Sequence, residues 1–273
     1  MFITGASSGI GLASAKLFFE KGWNVVATMR TPEKDTELKQ LDSSRMLVLR
    51  LDVQDLASIA PAVDAALAKF GTFDVLLNNA GYGQVGPFEM TPREKIQEQF
   101  DVNLFGLMDV TRAVLPHFRK HKKGGIINVS SGAGHSAPPM MSMYVASKFA
   151  LEGFTEAVAF ELASQGVFVK TVVPLDGIGA TSFTARATAS AALDAALMPD
   201  YGAFVDKSVE ALGKLGAGNG IESKDIAQAI FEAATDGTDQ LRYFVGDYER
   251  SLVKVRYGSN DQEYVAHVRS FFQ

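Results

Sequence analysis

The chain has 273 residues, 47% of them apolar, and a formal charge of −5. That length holds one large α/β domain or two small ones, and so mild an acidity argues against a general nucleic-acid binder, which carries a basic patch. With no cysteine, and with four histidines (His117, His121, His135, His267) that form no ligand spacing, disulfide, thiolate and histidine-metal chemistries are excluded.

Short apolar, β-branched runs alternate with helical patterns along the chain, which predicts βαβ units and a parallel sheet. The expected strands are Met1–Thr4, Trp23–Met29, Met46–Leu51, Phe73–Leu77, Gly125–Val129, Val167–Val173 and Leu241–Val245. Most lack polar alternation, as strands covered on both faces do. Helices are expected near 9–21, 55–69, 92–119, 145–164 and 224–235. Thr91-Pro92-Arg93-Glu94 reads as a helix start, with threonine capping, proline in the first turn and glutamate closing a capping box. Gly22 and Gly166 stand where helices should stop before a strand. No repeat or linker divides the chain. The reading is a single α/β domain over 1–273, a doubly wound, seven-stranded parallel sheet with helices on both faces. Residues 177–220 form a long insertion of weak periodicity, read as a substrate-covering element. The tail, 249–273, is expected on the rim or on a neighbouring subunit. No apolar run approaches the roughly 20 residues that cross a bilayer, and a charged leader is lacking, so a cytoplasmic protein is expected.

The first strand runs into Thr4-Gly5-Ala6-Ser7-Ser8-Gly9-Ile10-Gly11 and then a helix. Glycines there allow a tight turn and let backbone N–H groups approach a phosphate at the positive end of the helix. A dinucleotide site follows, and the end of the second strand selects its type. Met29 stands where a ribose-binding acid would, and Arg30 follows it. A guanidinium pairs with a 2′-phosphate, so NADP(H) is expected over NAD(H). Further on, Tyr144 and Lys148 are four residues apart and share a helical face. An ammonium beside a phenol favours the phenolate, so Lys148 is expected to lower the Tyr144 pKa.

Taken together, these residues resemble the short-chain dehydrogenase/reductase family. The resemblance rests on the glycine turn, Leu51-Asp52-Val53, Asn78-Asn79-Ala80-Gly81, Asn103, Asn128-Val129-Ser130-Ser131 and Tyr144 with Lys148, in order and at the right intervals. The stretches Tyr144–Gly153 and Leu241–Asp247 are similar to the branch that includes 17β-hydroxysteroid and retinol-type dehydrogenases. The resemblance implies that Tyr144 donates or accepts the proton and that Lys148 holds the nicotinamide ribose. Ser131, thirteen residues before the tyrosine, would bind the substrate oxygen. Asn103 would hold a water that resupplies the proton. It also implies cofactor contacts from Gly5, Ser7, Ser8, Gly9, Ile10, Gly11, Asp52, Val53, Asn79, Ala80, Gly81 and Pro174.

The expected reaction interconverts a carbonyl and an alcohol on a small apolar substrate. Tyr82, Gln84, Phe88, Gly132, His135, Pro138, Pro139, Met140, Met141 and Met143 are expected around it, with Phe183 from the insertion. Pairing into a homodimer or homotetramer through the helices near Thr91 and Met143 is implied by the family. The alternative is a regulator of the same fold that binds NADP without turnover. One departure favours it: Leu175 follows Pro174 where the family has glycine, and the nearest threonine, Thr181, comes late. Leu175 is expected to push the loop outward, with Gly177 taking the turn. The short N-terminus is expected to leave the first strand frayed.

Overall fold

The computed structural model describes residues 1–175, 194–216 and 221–271, with 213–216 by backbone alone. Its strands are β1 (Phe2–Ile3), β2 (Val25–Met29), β3 (Met46–Arg50), β4 (Val75–Asn78), β5 (Gly124–Val129), β6 (Val167–Pro174) and β7 (Arg242–Val245). The helices used below are α1 (Gly9–Glu20), α2 (Leu56–Phe70), α3 (Arg93–Phe100), α4 (Gly106–His121), α5 (Ser142–Ala163), α6 (Met198–Gly216), α7 (Ser223–Thr235), α8 (Leu252–Gly258) and α9 (Asp261–Arg269).

The strands form one seven-stranded sheet in the order β3-β2-β1-β4-β5-β6-β7, every pair parallel. Successive strand residues face opposite sides, and both sides are apolar. Ile3, Ala27, Leu77 and Ile127 pack with Phe18 of α1 and Ile226 and Ile230 of α7. Phe2, Val26, Leu76 and Ile126 pack with Ile59 and Val63 of α2 and Val110, Val114 and Phe118 of α4. Hence the missing polar alternation in the sequence. Strand order reverses between β1 and β4, and the crevice beyond their C-terminal ends is where such sheets place ligands.

Gly22 and Gly166 stop α1 and α5 with φ of +88° and +71°, as the sequence indicates. Three expectations change. The single helix over 92–119 is broken into α3, a π-helical turn over Asp101–Phe105, and α4. At the junction Gly106 meets the loop after β3 so closely that a Cβ would stand 2.7 Å from Val53 Cβ. Thr91 does not cap α3; its hydroxyl donates to the Pro87 carbonyl at 3.0 Å, and Pro92 takes the cap position. Met1 is not frayed but buried, its amino group donating to the Asn24 carbonyl at 2.8 Å.

Part of the 177–220 insertion is α6, tied to the loop before α3 by the Tyr201 hydroxyl, which donates to Glu89 at 2.7 Å, and by Asp194 N–H to the Met90 carbonyl at 3.0 Å. Gly177, Thr181 and Phe183 lie outside the described residues. The tail packs on its own chain: the Tyr264 hydroxyl of α9 accepts from Ala137 N–H at 2.8 Å.

Candidate active site

Every strand from β1 to β6 delivers an expected site residue at its C-terminal end, so one edge of the sheet gathers them. After β1 comes the glycine turn. Gly5 and Gly9 adopt φ of +69° and +56°, which a side chain would strain. A Cβ on Gly11 would collide with the Gly5 carbonyl, and one on Gly5 would stand 2.9 Å from Ala80 Cα. The Asn79 side-chain amide donates to the Thr4 and Gly5 carbonyls, each at 3.0 Å, and the Thr4 hydroxyl accepts from Asn79 and Ala80 N–H at 3.0 and 3.1 Å. The turn is thus locked to the end of β4. Ser8 does not cap α1 with its side chain, and the first turn of α1 holds no acid, so nothing there repels an anion. Ser7 is exposed and Ile10 half-buried beside it. The residues fit a dinucleotide pyrophosphate.

Arg30 ends β2, exposed to solvent, with no carboxylate partner among the described residues. At the end of β3 the Asp52 carboxylate accepts from Gln54 N–H at 3.1 Å, and Val53 is buried against Gly106. Gly81 faces Asn103: a Cβ there would stand 3.2 Å from the Asn103 Oδ1.

Ser131 leaves β5 and Tyr144 lies in the first turn of α5. The two side chains are hydrogen-bonded, and the Ser131 oxygen also accepts from Ala133 N–H at 3.2 Å. Tyr144 is buried, and burial pushes its pKa up to about 12 against the downward pull of Ser131. This reverses the direction read from the sequence. The Lys148 ammonium donates to the Val129 carbonyl at 2.9 Å and stands 5.8 Å from the Tyr144 ring centre. It is itself buried, and burial pulls its pKa down to about 8. For the phenol, loss of water outweighs a charge committed to a carbonyl.

Asn103 sits in the π turn. Its side-chain amide donates to the Tyr82 carbonyl at 2.9 Å and the Ser147 hydroxyl at 3.2 Å, and its oxygen accepts from Tyr82 N–H at 3.1 Å. It therefore braces the turn after Gly81 and the helical turn beneath Tyr144, and its side chain is not spent on Lys148. Pro174 ends β6, and Leu175 N–H continues the ladder to the Val245 carbonyl at 2.9 Å. A Cβ on Gly132 would stand 3.2 Å from the Leu175 carbonyl. Leu175 itself is thus held beside β7 and Gly132, and the loop that it was expected to push outward lies outside the described residues.

Among the expected pocket walls, Gly132 and Met140 are buried and Phe88 is 61% exposed. His135 lies inside the protein. It is 5% exposed and faces Glu152, with its Nδ1 2.8 Å from the Tyr257 hydroxyl of α8. Asn78 and Asn128, which belong to the quoted motifs but were given no role of their own, brace the site from below with Thr111 and Thr155. Asn78 donates to the Thr111 hydroxyl and to Asn128 at 3.0 and 2.9 Å, and Asn128 donates to the Thr155 hydroxyl at 2.9 Å. Two asparagines inside apolar strands were the signal available. No helix among the described residues is long and apolar enough to cross a membrane.

The family model for short chain dehydrogenases matches residues 1–191. An uncharacterised oxidoreductase of Schizosaccharomyces pombe is 38% identical over 239 residues, which are 87% of this chain and 97% of that one. Human retinol dehydrogenase 8 is 34% identical over 252 residues, 89% of this chain and 79% of that one. Among solved structures, a short-chain dehydrogenase from Streptomyces avermitilis superposes with a TM-score of 0.76 at 28% identity, covering 98% of this chain and 92% of that one.

Proposed function

The chain belongs to the short-chain dehydrogenase/reductase family of oxidoreductase enzymes, and from that membership we propose that it interconverts a carbonyl and an alcohol on a small apolar substrate with NADP(H). The observation that carries this is the buried Tyr144 phenol, bonded to Ser131, one helical turn from Lys148 and on the same sheet edge as the glycine turn. Bound NADP(H) supplies or takes the hydride. In reduction, Tyr144 passes its proton to the substrate oxygen while Ser131 donates a hydrogen bond to it, stabilising the negative charge that develops there. A phenol held near 12 stays protonated at neutral pH, which suits a proton donor. Lys148 presents its ammonium to the ribose hydroxyls, and Arg30, which has no carboxylate partner among the described residues, takes the 2′-phosphate. Asn103 keeps the Tyr82 turn and Ser147 in place.

Apolar side chains on the substrate side, Met140, Met141 and Met143 among them, favour an adaptable apolar pocket. Residues 177–220 act as a substrate-covering insertion on the single domain. The protein works in the cytoplasm as a homodimer or homotetramer. The exposed strip of Phe105, Phe149, Gly153 and Phe160 on the π turn and α5 fits a second copy of the chain.

The test is to incubate purified protein with NADPH or NADH and a panel of apolar aldehydes and ketones. Carbonyl-dependent oxidation of NADPH, faster than that of NADH, is expected. Tight NADPH binding with no turnover on a broad panel would sink the enzyme reading.

A further inference from the structure

A buried carboxylate stands one turn beyond Lys148 and has no part in the reaction described above. Glu152 follows Lys148 by four residues on α5, so the two share a face, and it is 5% exposed. Its oxygens face two side chains from other elements, Arg242 of β7 and His135 after β5. Oε2 accepts from Arg242 Nε of β7 at 2.9 Å, and Oε1 faces His135 Nε2 at 3.3 Å. Arg242 also donates to Glu156 of α5 at 2.5 Å. Gly134 lets the chain after β5 close on this point. A Cβ there would stand 3.0 Å from Glu152 Cγ and 3.1 Å from both the Lys148 carbonyl and the Ser130 hydroxyl.

Removing a carboxylate from water is costly unless cations and donors compensate it. Burial raises the Glu152 pKa, but His135, Ser130 and Arg242 more than offset it, and the group stays below the usual carboxylate range. Lys148 is the opposite case: burial works against its charge, and the Glu152 carboxylate is what opposes burial. A lysine that lost its proton would lose both its pull on ribose hydroxyls and its electrostatic role beside Tyr144.

We propose that Glu152 is a positioning residue for the hydride-transfer site: bonded to Arg242 and faced by His135, its carboxylate keeps Lys148 an ammonium where that ammonium meets the Val129 carbonyl. The proposal rests on the function inferred above for Tyr144 and Lys148. The titratable and charged groups around the pair are Tyr144 and Glu156 on α5, His135 after β5, Arg242 on β7, and Tyr257 on α8, reached through His135. Glu156 is half-exposed and screened by water, so Glu152 is the anion that acts on Lys148.

Glu152→Gln removes the charge and keeps the shape. The lysine is then expected to lose its proton at lower pH, by about one unit, the low end of the effect of a neighbouring opposite charge. Two readouts apply. In the cofactor-free chain, NMR of ¹³C-labelled lysine side chains, with Lys148 assigned by Lys148→Gln, gives its titration midpoint directly. In turnover, the alkaline limb of kcat/KM for carbonyl reduction moves to lower pH by the same amount, and the deficit shrinks as pH falls. Glu152→Asp, which keeps the charge but withdraws it, gives a smaller shift and covers the case in which the glutamine variant does not fold. A midpoint that stays put in whichever variant is folded overturns the proposal. If the parent protein turns over no carbonyl but the midpoint still moves, the functional reading falls and the role of Glu152 stands.

Discussion

The Lys148 ammonium donates to the Val129 carbonyl at 2.9 Å, joining the second turn of α5 to the last residue of β5 inside the protein. This contact holds the lysine in place at a cost to stability. Burial takes its pKa from the ordinary 10.5 to about 8, so at neutral pH the folded state carries a charge it disfavours, by about 3 kcal/mol. Between those two values the unfolded chain binds more protons, so this group makes stability rise with pH. Lys148→Met is expected to abolish turnover yet raise Tm at pH 7, by an amount reduced because the Val129 carbonyl loses its donor. The gain should narrow as pH approaches 10. Thermal melts across that range check it; a lower Tm at pH 7 would contradict the argument.

Tyr144→Phe keeps the ring in its buried place and deletes the group bonded to Ser131. Carbonyl reduction is expected to fall about a thousandfold or more, with NADPH affinity within a fewfold of the parent. Steady-state rates beside a cofactor titration decide it. Substantial residual turnover would remove Tyr144 from the role of proton donor.

Arg30 follows the last residue of β2 and has, among the described residues, no carboxylate to release before it meets a phosphate. Arg30→Ala should weaken NADPH binding roughly 10- to 100-fold, the worth of a charge-assisted pair, and leave NADH binding nearly unmoved. Equal losses for the two cofactors would refute the phosphate role.

Gln84 is 2% exposed, and neither polar atom of its side chain meets a described partner. A buried amide without partners costs about 1–3 kcal/mol. Gln84→Leu is therefore expected to raise stability by about 1 kcal/mol or more, and to shift substrate preference toward carbonyls lacking a second polar group. Denaturant unfolding and relative kcat/KM values test both halves. A less stable variant with unchanged preference would mean that the amide is satisfied in solution.

The fold was legible because its signals are local. Seven apolar runs, glycines at the helix stops and a glycine turn after the first strand repeat a simple βαβ grammar, and parallel connections leave few ways to arrange it. The site was legible in part for the same reason, since each expected residue sits at a strand end that the pattern already marks. Where the reading failed, the cause was non-local. The helix over 92–119 is interrupted by a π turn, and beside it Gly106 packs closely against Val53, more than fifty residues earlier in the chain. Thr91 abandons its cap for a carbonyl that loop geometry brings near.

Residue order and spacing alone thus determined the architecture, the strand-end positions of the site and the pairing of Tyr144 with Lys148 on one helical turn. Only the tertiary structure decided the electrostatics of that pair. Periodicity places an ammonium beside a phenol, but it cannot report how much water each has lost. Once β5, α5 and β7 close around them, desolvation lifts the phenol, lowers the lysine and makes Glu152 the charge that opposes it. The partners that hold Glu152, His135 and Arg242, are brought together from opposite sides of α5 in the sequence, Arg242 from ninety residues away. Charge balance in a buried site depends on such approaches, and they exist only in the folded chain.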